Sequence, residues 1–257
     1  MQLLRWRRAE ARPDPDRAMT LVEHLTELRS RVIKAAVAVA AGAIVGFLLY
    51  NTVLDWLVDP YCAVKHAQDA TSACRLVVTD PLESMTIRLK LATYLGFLFA
   101  SPIVLWQLWR FITPGLYARE KRYAVPFVAS SVLLFVAGAG LAILTFSKTL
   151  EFFAAFGGSE LELLYTPGKY LRLLILMMVI FGLGFEFPVI LTFLQVARVL
   201  TWQRLVTWRR WAIVGIFVVD AVITPSGDPV TLLAMAIPMC IFYEVSILIG
   251  RFLLRRE

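Results

Sequence analysis

Six stretches of this chain, residues 32–50, 85–110, 125–147, 169–195, 211–223 and 230–250, are so apolar that they constrain every fold the rest can adopt. At a helix rise of about 1.5 Å per residue, most of them match a hydrocarbon core about 30 Å thick. Hydrophobic residues make up 59% of the chain and charged residues only 18%, too little polar surface to clothe a water-soluble globule. Lipid is therefore the expected solvent for most of the chain. The expected fold class is an all-α membrane protein with six transmembrane helices and no separate soluble domain.

An even number of spans puts both termini on one side of the membrane. The segments on that side carry Arg5 to Lys34, then Arg110, Arg119, Lys121 and Arg122, then Arg198, Arg204, Arg209 and Arg210, and finally Arg251, Arg255 and Arg256. The bias of Lys and Arg toward the cytoplasm makes this an N-in, C-in topology. The net charge of +7 is distributed between apolar runs and forms no basic stripe with interleaved aromatics, so nucleic acid is not an expected partner. Residues 1–19 read as a basic, disordered tail without the apolar segment and cleavage site of a secretory signal, and residues 252–257 as a short cytoplasmic tail. Met19 stands just before the patterned sequence and is kept beside Met1 as a candidate start.

Some segments depart from a plain helical hairpin pattern. The fifth run, Trp211 to Ile223, spans roughly 20 Å as a helix, which calls for local membrane thinning or snorkelling of Arg209 and Arg210. The turn from Thr224 to Pro229 contains two prolines and a glycine and cannot be helical throughout, so the sixth helix must start at once. Pro102, Pro188 and Pro238 interrupt the second, fourth and sixth runs, where each is expected to bend its helix and so to favour a concave layer of spans. A short match, Pro102 to Leu105 against Pro188 to Leu191, is ascribed to chance. Cys62 and Cys74 share the first connecting loop and could form a disulfide if that loop faces an oxidising compartment; Cys240 lies in an apolar run and is read as packing.

Leu21, Leu25, Leu28 and Val32 recur at helical spacing, so Thr20 to Val32 is expected as an amphipathic surface helix before the first span, with Glu23, Glu27 and Arg31 on its other face. Glu27 and Arg31 can form a simple i,i+4 pair. Glu120 stands among Arg119, Lys121 and Arg122 and can be a counter-charge. Together, however, Glu27 and Glu120 offer two acids on one membrane face, as recognition of two guanidinium groups requires. Glu186 lies well inside the fourth span between Phe185 and Phe187, where a carboxylate is costly unless protonated, hydrated or paired. Asp220, near the outer end of the fifth span, is expected to be wetted.

The stretch His24-Leu25-Thr26-Glu27-Leu28-Arg29-Ser30-Arg31 is one of several motifs that occur in a fixed order. It is followed by Ser101-Pro102-Ile103-Val104-Leu105-Trp106-Gln107 with Phe111, then Pro114-Gly115-Leu116-Tyr117 with Glu120, Phe185-Glu186-Phe187-Pro188, Thr224-Pro225 through Asp228, and Ala236-Ile237-Pro238-Met239. In these motifs the chain resembles the TatC family, the multispanning receptor subunit of the twin-arginine protein translocase, from about Thr20 to Arg251. The resemblance implies a curved, glove-like six-helix domain over 20–251 in a bacterial cytoplasmic membrane. It also implies binding of the twin-arginine signal peptides of folded substrates, assembly with single-span TatA- and TatB-type subunits, and self-association. Glu27 and Glu120 take the family's role of holding the paired arginines, and Arg29, Phe111, Tyr117 and Arg119 lie near the same surface. Glu186 is implied to face the concave side where the single-span partners pack. The loop residue Pro60 and the turn residues Thr224, Pro225 and Asp228 are implied in assembly or stability. Here the turn is one residue longer than in some relatives, through Ser226-Gly227, and the Cys62 and Cys74 pair is not a general family feature.

Other functions fit less well. The only histidines, His24 and His66, fall outside the spans, so haem ligation within the membrane is excluded and no cofactor is expected. The spans carry no serine and histidine pair or facing aspartates for intramembrane proteolysis, and no glycine-rich phosphate loop exists for ATP hydrolysis. The chain is therefore not expected to be an enzyme. The competing reading is a proton-coupled small-solute transporter with Glu186 as the coupling site, but such proteins place several polar groups at mid-membrane, where Glu186 is nearly alone.

Overall fold

The computed structural model describes residues 21–68, 76, 78, 80–112, 124–157 and 165–253. Among the described residues all regular structure is helical: α1 (Leu21–Leu48), α2 (Tyr50–Gln68), α3 (Glu83–Ile112), α4 (Ala124–Gly157), α5 (Pro167–Gly184), α6 (Phe187–Val196), α7 (Trp202–Ile223) and α8 (Pro229–Leu253). Five segments are long and apolar enough to cross a membrane: Val22–Leu48, Glu83–Phe111, Val125–Phe156, Pro167–Val196 and Pro229–Phe252, the fourth being α5 and α6 together. The chain is thus a multi-pass membrane protein. The 22 residues of α7 reach roughly 33 Å, but Arg204, Arg209, Arg210 and Asp220 make it too charged to meet the same standard.

The structure corrects the sequence reading at several points. The expected surface helix over Thr20 to Val32 is not a separate element: it continues without a break into the first span as α1, since no glycine or proline intervenes before Gly42. The first connecting loop is largely α2. Pro60, Cys62 and His66, all expected in a loop, lie on this helix, whose buried residues Leu57, Tyr61 and Val64 recur at helical spacing and pack into the main core. That stripe is too short and too interrupted by Asp55, Asp59 and Lys65 to register as a span.

The helix that carries the fifth apolar run is α7, which starts at Trp202, not Trp211. Thr201 caps it, its hydroxyl accepting from the Arg204 amide at 3.5 Å, so the helix is longer than hydropathy alone indicates. The fourth span is not bent by Pro188. It breaks one step earlier, at Phe185 and Glu186, and Pro188 sits in the first turn of α6, where its missing N–H is not needed. By contrast Pro102 and Pro238 lie inside α3 and α8, as expected.

The core lies where α5 meets α2, α3, α4 and α8. Ala142, Phe146, Leu174, Met177, Phe181 and Ala236 are completely inaccessible. α1 packs on α3 almost exclusively and leaves Val32, Val37, Ile44 and Leu48 exposed, a surface suited to lipid. Without a hydrophobic driving force between helices in lipid, association depends on close approach and hydrogen bonds. Both are present. Gly42 and Gly46 on α1 face Gly96 and Ala92 on α3 so closely that a Cβ on Gly96 would stand 2.6 Å from the Ala43 nitrogen and from the Val39 carbonyl oxygen. Tyr170 donates to the Leu57 carbonyl at 2.7 Å, Tyr243 to the Leu205 carbonyl at 2.7 Å, and Gln195 to the Ser246 carbonyl at 2.9 Å, joining α5 to α2, α8 to α7 and α6 to α8.

Gly96→Val is expected to force α1 from α3 and to cost about 1–3 kcal/mol, as overpacking does elsewhere. Thermal unfolding in detergent reads this as a lowered midpoint. Gly140→Ala, with nothing within 4 Å of the added methyl, should leave the midpoint unchanged.

Candidate functional site

The close α1–α3 packing carries the beginning of α1 alongside the end of α3. There Arg31 donates from Nε to Glu27 Oε1 at 3.0 Å and pairs with the same oxygen through Nη2, while its Nη1 donates to Gln107 Oε1 at 3.4 Å. His24 stacks on Phe111 with ring centroids 4.5 Å apart and planes 22° from parallel. Glu27 and Arg31 are one turn apart on α1, so helix spacing makes the pair, and Gln107 fixes the guanidinium from the facing helix. The pair is half-buried, with 14% of the Arg31 side chain and 20% of the Glu27 side chain exposed. Only one carboxylate oxygen is used. Glu27 Oε2 is buried without a hydrogen-bond partner among the described residues, which leaves an acceptor free for a further donor.

Of the other residues expected at this surface, Phe111 joins the cluster and Arg29 is exposed on α1. Tyr117, Arg119 and Glu120 lie outside the described residues. The sequence reading missed Gln107 as a partner of Arg31, because 76 positions separate them and only the α1–α3 packing unites them.

A second buried acid sits deeper. Glu186 occupies the break between α5 and α6, is 7% exposed, and lies within hydrogen-bonding reach of the Ser131 hydroxyl on α4. Ser131 itself accepts from Trp109 Nε1 at 2.7 Å, so its single proton is free to be donated to the carboxylate. The result is a chain from α3 through α4 to the α5–α6 break, packed beside the Trp109, Phe127 and Phe193 rings. Glu186 Oε1 has no partner among the described residues.

Asp220 departs from expectation. Instead of being wetted, it is completely buried, and neither carboxylate oxygen has a hydrogen-bond partner among the described residues, because α7 packs on α8 over it. The Thr224 to Pro229 turn does separate the two helices. Thr224 ends α7, its amide and hydroxyl both donating to the Asp220 carbonyl, and Gly227 takes a φ of 62° that favours glycine. Asp228 caps α8. Its Oδ1 accepts from the Thr231 amide at 2.8 Å and its Oδ2 from the Thr231 hydroxyl at 2.6 Å, so its charge is spent on the helix start. Cys62 takes part in a disulfide and Cys240 is free; Cys74 lies outside the described residues.

The family model described as Sec-independent protein translocase protein (TatC) matches residues 23–238, which takes in the α1–α3 cluster, the Glu186 break and the Thr224 turn. The chain belongs to the TatC family. Among curated TatC proteins, that of Frankia casuarinae is 41% identical over 241 residues, covering 91% of this chain and 66% of the relative. The TatC of Carboxydothermus hydrogenoformans is 35% identical over 243 residues, covering 94% of this chain and 97% of the relative. A crystal structure of the twin-arginine translocase receptor TatC superposes with a TM-score of 0.71 at 35% identity, over 89% of this chain and 98% of that one. TatC is a family of translocase proteins, not of enzymes.

In this TatC-family chain, Ser131→Ala should leave the Trp109 indole N–H unsatisfied and remove the donor to Glu186. The expected cost is about 1–3 kcal/mol, seen as a lower midpoint of thermal unfolding in detergent. An unchanged midpoint would mean that the Trp109, Ser131 and Glu186 chain does not support the fold.

Proposed function

We propose that the chain is the signal-peptide receptor and core subunit of the twin-arginine translocase, which moves folded proteins across the bacterial cytoplasmic membrane using the proton-motive force. Family membership supports the class of function. The observation that carries the mechanism is the Glu27 carboxylate at the start of α1, half-buried, anchored on one oxygen by Arg31 and with its second oxygen unpartnered among the described residues. A carboxylate held this way accepts a guanidinium without first being ordered, since Arg31 and Gln107 have already fixed its rotamer. Arg31 also keeps the site from carrying an uncompensated buried charge while empty. Glu120 is the second acid, so that each arginine of the signal peptide meets one carboxylate, with Arg29, Phe111, Tyr117 and Arg119 around them.

In this reading the membrane domain runs over 20–251 between a basic N-terminal tail and a short C-terminal one. Its six spans form a curved, glove-like layer with α7 as the fifth, and both termini are cytoplasmic. Most of the Lys and Arg residues outside the spans fall on that side. Single-span TatA- and TatB-type subunits and further copies of the chain are its partners, and Glu186, with Pro60 and the Thr224, Pro225 and Asp228 turn, serves assembly.

Glu27→Ala and Glu120→Ala are each expected to weaken binding of a twin-arginine peptide roughly 10- to 100-fold, the worth of one charge-assisted hydrogen-bonded contact, with the fold intact. Fluorescence binding to the purified chain measures this, and unaltered affinity in either variant would remove that acid from the site. Glu186→Ala should spare peptide binding and reduce co-purification of the single-span partners; their normal recovery would count against its role in assembly.

A further inference from the structure

Two cavities meet where α3 and α5 begin, at the membrane face opposite the start of α1. The first, about 330 Å³, is lined by Lys90, Tyr94 and Arg172 together with Gly168 at its rim. The second, about 250 Å³, is lined by apolar side chains that include Leu98, Phe135, Ala139 and Val179. Leu91, Tyr94 and Ile175 line both, so the cationic space adjoins the apolar one.

The two cations are placed unusually for a membrane helix pair. Lys90 lies about two turns into α3 and Arg172 about one and a half turns into α5, depths of roughly 10 Å and roughly 7 Å from the helix starts. Neither has an ion-pair or hydrogen-bond partner among the described residues. Two neighbouring charges are already engaged. Arg88 lies over the Phe47 and Tyr50 rings at 4.5 and 5.1 Å, and Glu83 accepts from the Gly168 amide at 3.1 Å. Two unneutralised cations at the top of an apolar groove match a molecule with an anionic head and a hydrocarbon tail.

We propose that the two adjoining cavities hold one anionic glycerophospholipid of the leaflet opposite the N-terminus of α1, its phosphate between Lys90 and Arg172 and one acyl chain in the groove beneath Tyr94. Free phosphate would leave the apolar space unfilled. A lipid seated there fills the gap between α3 and α5 and ties the outer ends of α2, α3 and α5 together. The site is on the other side of the membrane from Glu27, so it stands or falls independently of the receptor reading.

The test uses the full chain, exchanged into nanodiscs of equal parts phosphatidylglycerol and phosphatidylcholine, then released and examined by native mass spectrometry. One retained phosphatidylglycerol is expected. The Lys90→Gln, Arg172→Gln double variant should lower its retention roughly 10- to 30-fold, as loss of two basic contacts to an anionic headgroup implies. Ala139→Phe, which fills the groove without touching the charges, should lower it as well. Millimolar inorganic phosphate should not displace the lipid. Equal retention of phosphatidylcholine, undiminished retention in the double variant, or displacement by inorganic phosphate would each overturn the proposal. Unfolding midpoints taken on delipidated protein separate a lost site from a lost fold, and Lys90→Gln alone gives the same readout should the double variant be unstable.

Discussion

The hydrocarbon core supplies no water to an unpaired peptide group, and this one requirement shapes each irregularity in the chain. The break between α5 and α6 shows how it is met. The Phe185 amide donates to Phe181 O at 2.9 Å, the Glu186 amide to Leu183 O at 3.1 Å, and the Ile190 amide to Glu186 O at 3.0 Å, so these three amides stay bonded through the break. Pro188, which has no amide to satisfy, occupies the first turn beyond the break. The same device ends α7, where the Thr224 amide and hydroxyl both turn back to the Asp220 carbonyl. Local bonds thus replace several of the helical ones where the backbone is irregular, and it is at such a place that Glu186 enters the interior.

Lipid also removes the usual reason for helices to associate, since leaving one apolar surface for another gains little. The contacts that remain are specific ones, and they position the candidate site. Gly96 lets α3 approach α1 to backbone distance in mid-span. Toward the start of α1, the same pair of helices brings Arg31 to Gln107 and His24 to Phe111. A half-buried acid that is anchored on one oxygen, its other oxygen without a partner among the described residues, follows from that register. Were the two helices further apart, Glu27 and Arg31 would form an exposed i,i+4 pair of small worth.

The apolar runs made the helical, membrane-spanning class legible at once, because hydrophobicity of that length has no other physical outlet. Ordered motifs such as His24 to Arg31 and Phe185 to Pro188 made the family legible too. The helix α2 was hidden because its buried stripe of Leu57, Tyr61 and Val64 is interleaved with charges, so that mean hydropathy reports a loop where periodicity reports a helix. The start of α7 was hidden for the same reason: Arg204, Arg209 and Arg210 mask a helix that Thr201 caps. Glu27 was readable as a site candidate, whereas the state of its two oxygens was not, because that depends on a glutamine far away in sequence.

By itself the sequence determined which segments must be helical, which must lie in lipid, and which acids stand out against an apolar or basic background. These are consequences of composition and short-range spacing, and they hold whatever the helices pack against. Only the tertiary structure decided that Arg31 is shared between Glu27 and Gln107, that Ser131 links Trp109 to Glu186, and that Asp220 is enclosed. Each of these joins or encloses groups on different helices. The depth and rotation at which two helices meet is set by side-chain shape along their whole contact, which no local pattern encodes.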